Sequence, residues 1–124
     1  MSYNLAPKQT IGQQAENIAC QHLQQQGLRL IDRNFQCRVG EIDLVMQDND
    51  TLVFIEVRSR STQDAYDPIE SIGFRKQQRL MRTAMHYLQK KHYLDTYPCR
   101  FDVIGITYTA SIPHVQWIQH AFSS

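Results

Sequence analysis

A β-hairpin predicted over residues 40–60 constrains the fold of this chain most. Two runs in which apolar and polar residues alternate, 41–47 and 52–58, flank a turn at 48–51 with the sequence Asp-Asn-Asp-Thr. These residue types accept the left-handed or Asx-turn backbone of a tight turn. The two runs are therefore expected to pair as antiparallel strands.

The turn predicts which residues of the hairpin lie opposite each other. If the two ends of the turn pair, Asp43 falls opposite Glu56. Glu41 then falls opposite Arg58, and all four side chains share one face. Opposed residues have Cβ atoms roughly 4.5–5.5 Å apart, a distance at which like charges destabilise the pair. A divalent cation such as Mg²⁺, which prefers carboxylate oxygens, would offset the repulsion between Asp43 and Glu56.

A surface explanation of the same four residues stays open. Asp43 and Glu56 could lie on a solvated face, with Glu41 and Arg58 as a surface ion pair worth ~0–1 kcal/mol. The other residues of that face are largely apolar, which favours a partly buried acidic pair. Carboxylates beside a buried surface are costly, and functional sites are where that cost is usually tolerated.

Length and composition predict one soluble domain over residues 1–124. Apolar residues make up 42% of the chain, which is enough for a single core. No apolar run approaches the roughly 18 residues of a membrane span, and residues 1–8 lack the apolar core of a signal peptide. We therefore predict a cytoplasmic protein without a membrane partner. The three cysteines have no CxxC spacing, which argues against a disulfide framework and a zinc site.

Charge is unevenly distributed along the chain, although the net charge is only +1. Residues 41–70 carry eight acids and two arginines, for a net charge of −6, whereas residues 71–92 carry six cations and no acid, for +6. A basic helix beside an acidic metal site suits an enzyme that acts on a phosphate backbone. The alternative is a solvated helix face without a nucleic-acid partner.

Two helices are predicted, one on each side of the hairpin in the chain. The first spans residues 11–26, with a capping box at Thr10 and Gln13 and a left-handed stop at Gly27. Glu16 lies beside its apolar stripe. That carboxylate either extends to solvent or faces inward as an additional metal or water ligand.

The second helix spans residues 73–91 and carries two stripes. The apolar stripe comprises Phe74, Met81, Ala84, Met85 and Leu88, and the basic stripe comprises Arg75, Arg79, Arg82, His86 and Lys90. We predict that Arg75, Arg79 and Arg82, together with Arg60 at the end of the hairpin, bind nucleic acid. Lys76 belongs to neither stripe, and it either rests its stem on the core or reaches a neighbouring active site.

The remaining patterns are extended. Strands are predicted over 28–35 and 100–108, the latter parallel to the preceding strand through a right-handed crossover. Residues 114–120 form either an edge strand or a short helix. The chain is thus predicted to be an α/β protein of order α-β-β-β-α-β-β, a mixed β-sheet with flanking helices. Segments 1–9 and 61–70 are predicted to be mobile, the second as a lid.

The ordered motifs of this chain resemble those of the bacterial YraN family. They are Gly-Glu-Ile-Asp-Leu-Val at 40–45, Val-Phe-Ile-Glu-Val-Arg-Ser-Arg at 53–60, Lys76, Arg-Phe-Asp-Val at 100–103, Ala15-Glu16 and Trp117-Ile118. The resemblance covers the chain from about Ile11 to Phe122. That family is similar to restriction-endonuclease-like proteins, the PD-(D/E)xK nucleases, and particularly to archaeal Holliday-junction resolvases. The resemblance therefore implies a restriction-endonuclease-like fold.

The resemblance also implies roles for individual residues. Asp43 matches the first acid of the nuclease motif, Glu56 the second, and Arg58 falls at the position of the motif's lysine. Glu16 matches an acid that some members supply from the first helix. In such nucleases the acids hold Mg²⁺ or Mn²⁺, and the metal activates a water that hydrolyses a DNA phosphodiester. The implied partner is DNA, including branched or damaged DNA, and the implied assembly is a homodimer.

Arg58 in place of lysine leaves two functions open. Arginine keeps the positive charge, but its pKa above ~12 excludes a role as general base. Lys76 would then supply the catalytic lysine of a nuclease; alternatively, the protein binds nucleic acid or a partner without cutting. Other enzyme classes find little support, because the chain lacks GxSxG, P-loop and dinucleotide-binding motifs and its five histidines are scattered.

Overall fold

The computed structural model describes residues 9–60 and 67–123. Its elements are α1 (Ile11–Gln25), β1 (Arg29–Gln36), β2 (Glu41–Asp48), β3 (Thr51–Arg60), α2 (Phe74–Lys91), β4 (Cys99–Thr109) and β5 (Ile112–Phe122). The predicted order α-β-β-β-α-β-β is confirmed, and the segment at 114–120 is part of a strand. The predictions of mobility for residues 1–8 and 61–66 lie outside the described residues.

All five strands form one mixed sheet in sequence order, β1-β2-β3-β4-β5. Its pairs are antiparallel except for β3 and β4, which run parallel from Leu52↔Cys99 to Arg60↔Thr107. The predicted crossover between these two strands contains α2. In the described part of the chain, no helix has the length and apolar character of a membrane span.

The two helices cover opposite faces of the sheet. On one face, α1 buries Ala15, Ala19 and Leu23 against side chains of β2, β3 and β4. On the other face, α2 packs Leu80 and Tyr87 against a second buried cluster from the same strands. Two apolar layers of this kind exclude water from both sides of the central strands.

Local sequence determines where α1 begins and ends. The Thr10 hydroxyl accepts a hydrogen bond from the Gln13 backbone N–H at 3.1 Å, and the Gln13 side chain accepts one from the Thr10 N–H at 2.9 Å. Gly27 has a φ of 97°, a backbone that glycine adopts without steric cost. The predicted capping box and left-handed stop are both confirmed.

The buried face of α2 differs from the predicted apolar stripe. Phe74 and Met85, two members of that stripe, are 73% and 48% exposed. The buried residues are Leu80, Thr83, Ala84 and Tyr87, of which only Ala84 belongs to the predicted stripe. The stripe prediction was therefore wrong for Phe74 and Met85.

Hydrogen bonds explain why two polar side chains of α2 lie inside. The Tyr87 hydroxyl donates to Asp32 Oδ2 at 2.8 Å, and the Thr83 hydroxyl donates to the Arg79 carbonyl oxygen at 2.8 Å. A buried hydroxyl with a partner avoids most of the desolvation penalty of an unpaired one. These partners lie elsewhere in the fold or on the helix backbone, and apolar periodicity does not reveal them.

Gly105 of β4 lies directly beneath the Pro68 ring, and a Cβ atom at this position would overlap that ring. We expect Gly105→Ala to lower the free energy of unfolding by ~1–3 kcal/mol, as overpacking of a core usually does. Gly12→Ala is the matched control, because a Cβ there meets only the Thr10 hydroxyl oxygen, at 3.9 Å. Urea denaturation of both variants tests the contact. Equal stability of the two variants would show that Pro68 moves aside freely.

Candidate active site

The register of the central hairpin is the predicted one. β2 and β3 pair from Asp48↔Thr51 to Leu44↔Ile55. Beyond that point, the Val57 N–H of β3 donates to a side chain of β2 and not to its backbone: the acceptor is Asp43 Oδ2, at 2.8 Å.

Asp43 and Glu56 form a buried acidic pair where the hairpin pairing ends. Asp43 is 8% exposed and Glu56 is 6% exposed. Burial raises the pKa of Asp43 to about 8, helped by the hydrogen bond and negative charge of Glu56. Burial and the neighbouring Glu56 thus favour the protonated form of the Asp43 carboxyl when no cation is bound. The surface explanation of this pair does not hold, since both side chains are buried.

Lys76 extends from the first turn of α2 to this acidic pair. Its Nζ lies 2.8 Å from Glu56 Oε2, and its side chain is about two-fifths exposed. The Lys76 side chain is therefore in contact with both the carboxylate and solvent. Of the two positions left open by the sequence, Lys76 occupies the one that reaches the acidic site.

Arg58 has a different set of partners. Its Nε donates to the Ser71 hydroxyl at 3.0 Å, and its Nη2 donates to the Ser71 carbonyl oxygen at 2.6 Å. Its Nη1 lies 4.0 Å from Glu56 Oε2, at the limit of an ion pair. Arg58 therefore ties the segment before α2 to β3 and contributes to the acidic site only at a distance.

The predicted pairing of Glu41 with Arg58 was wrong. Glu41 instead accepts a hydrogen bond from the Gln36 side chain of β1 at 2.9 Å. The hairpin pairing ends at Leu44↔Ile55, so position 41 no longer faces position 58 across a ladder. Each side chain then finds a partner from another part of the fold.

Glu16 of α1 lies close enough to influence the acidic pair. Its side chain is 14% exposed, and its Oε1 lies 3.6 Å from Arg33 Nη2. Its negative charge adds to the rise in the pKa of Asp43. The carboxylate is thus largely buried on the inward side of α1. Its role as a third ligand stays a prediction.

The donor set at the site is limited to oxygen ligands. Within residues 9–60 and 67–123, no group of three or more His, Cys, Asp or Glu side chains is arranged to hold a metal ion. Two adjacent carboxylates, Asp43 and Glu56, are nevertheless a suitable set for Mg²⁺, which uses one or two carboxylates and completes its octahedron with waters and phosphate oxygens. The residues present therefore fit Mg²⁺ or Mn²⁺ better than zinc.

A cleft beside the acidic pair separates α2 from the connection between β1 and β2. It has a volume of about 350 Å³. Its polar walls are Gln36, Glu41, Lys76 and Arg79, and its other lining residues are Cys37, Gly40 and Leu80. We name it the Lys76–Arg79 cleft. Lys76 belongs both to this cleft and to the acidic pair.

The predicted nucleic-acid-binding arginines lie on the surface. Arg75, Arg79 and Arg82 are exposed on α2, and Arg60 is exposed at the end of β3. Of these, Arg79 lines the cleft. DNA binding by this set stays a prediction, as does the homodimer.

A second charged cluster, centred on Asp102, was not predicted. Asp102 is 1% exposed and accepts hydrogen bonds from Arg100 Nε at 3.0 Å, Trp117 Nε1 at 2.9 Å and the His120 backbone N–H at 3.1 Å. Arg100 Nη1 also donates to Asp48 Oδ2 at 3.0 Å. Burial lowers the pKa of Arg100, but Asp102 and Asp48 more than reverse this and raise it. The available signal was two opposite charges, two positions apart, in an otherwise apolar strand.

Comparison with known proteins identifies the family. The model of the Uncharacterised protein family UPF0102 matches residues 15–106. The chain belongs to the UPF0102 family. The resemblance to YraN proteins, inferred from the motifs, is thereby confirmed. All four predicted catalytic residues of this UPF0102 protein lie inside the matched range, whereas β5 lies beyond it.

Curated UPF0102 proteins are similar over nearly their whole length. The one from Nitrosococcus oceani is 50% identical over 111 residues, which cover 90% of each chain. The one from Stutzerimonas stutzeri is 45% identical over 120 residues, covering 97% of this chain and 100% of the relative. The one from Pseudomonas aeruginosa is 47% identical over 115 residues, covering 91% of this chain and 92% of the relative.

Similarity to solved structures is much weaker. The structure of Pyrococcus furiosus SfsA in complex with Ca²⁺ has 13% sequence identity and a TM-score of 0.35. The alignment covers 84% of this chain and 60% of the SfsA chain. A match at this level adds nothing to the assignment of function.

Proposed function

We propose that this protein is a metal-dependent nuclease that hydrolyses phosphodiester bonds in DNA. The observation that carries the proposal is the buried pair of Asp43 and Glu56, with the Lys76 ammonium 2.8 Å from Glu56. Two carboxylates and one cation at a common point are the groups that this chemistry requires. Burial of two adjacent carboxylates destabilises a fold, and functional sites are where this cost is usually tolerated.

Asp43 and Glu56 are the residues that would hold the cation. Mg²⁺ held there would supply positive charge to the scissile phosphate and would make a water more acidic. Asp43 must release its proton to become a ligand, so cation binding and deprotonation are linked. The Val57 N–H bonds to one oxygen of Asp43, Oδ2. It can therefore orient the Asp43 side chain both before and after the proton is released.

Lys76 is the better candidate than Arg58 for the lysine of the motif. Its Nζ already contacts Glu56, and its partial exposure lets it reach a water or a phosphate oxygen. A positioned ammonium there would stabilise the charge that develops on the phosphate. Arg58, which is held by Ser71, instead fixes the segment leading into α2.

Two substitutions separate these roles. We expect Lys76→Ala to lower the cleavage rate by about 100-fold or more, the usual effect of losing one preorganised donor. Arg58→Ala should lower it less, by about tenfold, and should speed backbone hydrogen exchange around Ser71 because two hydrogen bonds are lost. Single-turnover kinetics and hydrogen exchange of both variants provide the comparison. A larger loss of rate in Arg58→Ala than in Lys76→Ala would indicate that Arg58 is the catalytic residue of the two.

The direct test of function is a cleavage panel. The substrates are duplex, single-stranded, flapped and four-way-junction DNA, incubated with Mg²⁺ or Mn²⁺ and, separately, with EDTA. We expect cutting that requires the metal and disappears in Asp43→Asn. Intact substrates under every condition, with equal DNA binding by both proteins, would refute the nuclease proposal.

A second candidate is a nucleic-acid-binding module without catalysis. The observation in its favour is that Arg58, at the motif's lysine position, is held by Ser71 through two hydrogen bonds. This candidate predicts binding that weakens with salt, needs no metal and survives Asp43→Asn. The same panel, read by electrophoretic mobility instead of cleavage, distinguishes it from the nuclease.

A further inference from the structure

We propose that the Lys76–Arg79 cleft binds one unpaired nucleotide of the substrate strand. The inference rests on the proposed function and names its substrate class. The preferred DNA would carry nucleotides outside a duplex, as in single strands and flaps. A continuous blunt duplex would be a poor ligand for the cleft.

The cleft is continuous with the acidic pair through one residue. Lys76 lines the cleft, and its Nζ lies 2.8 Å from Glu56 Oε2. A strand whose phosphate meets the acidic pair therefore places its neighbouring nucleotide at the cleft. This contiguity links the cleft to the chemistry.

The shape of the cleft depends on the close approach of α2 to Gly40. A Cβ atom at Gly40 would lie 3.0 Å from the Thr83 hydroxyl oxygen and 3.1 Å from Arg79 Cδ. The glycine thus lets the stem of Arg79 lie against the backbone. Cys37 and Gly40 also close the turn, because the Cys37 N–H donates to the Gly40 carbonyl oxygen at 2.9 Å.

The size of the cleft favours a base that is not stacked in a duplex. The volume of about 350 Å³ falls within the range of roughly 300–1,000 Å³ typical of small-ligand pockets. A base held in a duplex is covered by its stacked neighbours and its pairing partner, and proteins admit it to a pocket only after it has been extruded. An unpaired nucleotide avoids that energetic cost.

The polar groups of the cleft match the parts of a nucleotide. Arg79 offers a guanidinium that can bind phosphate oxygens in a bidentate manner, and Lys76 adds a second cation. On the opposite wall, the Gln36 amide donates to Glu41 at 2.9 Å. An amide and a carboxylate are groups that hydrogen-bond base edges. Cations on one side and base-reading groups on the other suit a single nucleotide.

Cysteine alkylation tests the inference without requiring cleavage. Cys37 lines the cleft and is half-buried, whereas Cys99 is exposed and lines a different groove, on the far side of α2. The third cysteine, Cys20, is buried. The protein is treated with iodoacetamide in EDTA, alone or with a single-stranded oligonucleotide, its blunt duplex or dAMP. Mass spectrometry then gives the alkylation rate at each cysteine.

We expect the single strand to protect Cys37 and not Cys99. At ten times its Kd, the oligonucleotide should slow Cys37 alkylation roughly tenfold by mass action, and the duplex should protect much less. Arg79→Gln should weaken protection by the single strand selectively. Arg82→Gln, which removes the same charge from α2 outside the cleft, should weaken both DNA forms alike.

The other outcomes separate this inference from the proposed function. If metal-dependent cleavage occurs while Cys37 reacts equally with and without the single strand, the cleft inference fails and the nuclease proposal stands. Equal protection by the duplex, or by dAMP at the same concentration, would also overturn the inference. Protection without cleavage of any substrate would refute the nuclease and support the cleft as a site for unpaired nucleotides.

Discussion

Asp43→Asn is expected to abolish metal-dependent cleavage while leaving the fold intact. The asparagine oxygen can still accept the Val57 N–H, but an amide is a far weaker ligand for Mg²⁺ than a carboxylate. Loss of the cation's several kcal/mol of transition-state stabilisation corresponds to a rate loss of about 1,000-fold or more. Cleavage of the preferred substrate at saturating Mg²⁺ measures this directly.

The same substitution has an opposite effect on stability. In the wild type the pKa of Asp43 is raised to about 8, so the folded protein keeps a proton that the unfolded chain releases near pH 4. The stabilising contribution of that proton is complete below about pH 4 and is lost as the pH rises to about 8. Asp43→Asn has no such loss. We therefore expect its stability relative to wild type to increase across this range.

Thermal denaturation at several pH values provides the measurement, with and without Mg²⁺. The cation should raise the Tm of the wild type most at pH 8 and above, where it replaces the lost proton, and should leave Asp43→Asn nearly unchanged. If Mg²⁺ raises the Tm of both proteins equally, Asp43 is not a ligand. A wild-type stability that does not fall between pH 5 and 8 relative to the variant would contradict the raised pKa.

Asp102→Ala is expected to cause the largest loss of stability. It leaves three donors without their acceptor: the buried Arg100 side chain, the half-buried Trp117 side chain and the His120 backbone N–H. Breaking a buried ion pair by removing one partner typically costs about 3–5 kcal/mol. For a protein of 124 residues this lowers the Tm by roughly 10–20 °C.

Two controls establish that charge pairing is responsible. Asp102→Asn keeps the size of the side chain and one acceptor oxygen, so it should lose less stability than Asp102→Ala. Removing both charges, in Arg100→Met with Asp102→Leu, should recover part of the loss, because no buried charge is then unpaired. Urea denaturation gives the free energy of unfolding of each protein. Equal losses in Asp102→Ala and the double variant would show that packing, and not charge, dominates.

The hairpin could be predicted because its determinants are local. A turn of four residues and period-2 alternation are enough to specify the register from Asp48↔Thr51 to Leu44↔Ile55. Beyond the pairing, the Val57 N–H bonds to the Asp43 side chain, and Glu41 and Arg58 have partners outside the hairpin. The sequence therefore predicts the acidic pair correctly and pairs Glu41 incorrectly.

Long-range contacts account for the other differences. The inward orientation of α2 depends on Asp32, which is 55 residues away from the Tyr87 hydroxyl that it binds. The cluster at Asp102 likewise draws on Asp48 and Trp117 from two other strands. Periodicity measures apolar faces along one element. It gives no information on which distant polar group will satisfy a buried one.

The two outer strands of the sheet limit how this protein can associate. β5 contains Pro113, which has no N–H to donate, and His120, whose φ is 50°, while β1 contains Asn34 with a φ of 52°. Each outer ladder also has an irregularity, at Leu30/Asp32 and at Phe101/Val103. Edge-to-edge strand addition is thereby disfavoured on both sides. We therefore expect a second protein molecule to dock through helices or loops, which would leave the sheet five strands wide.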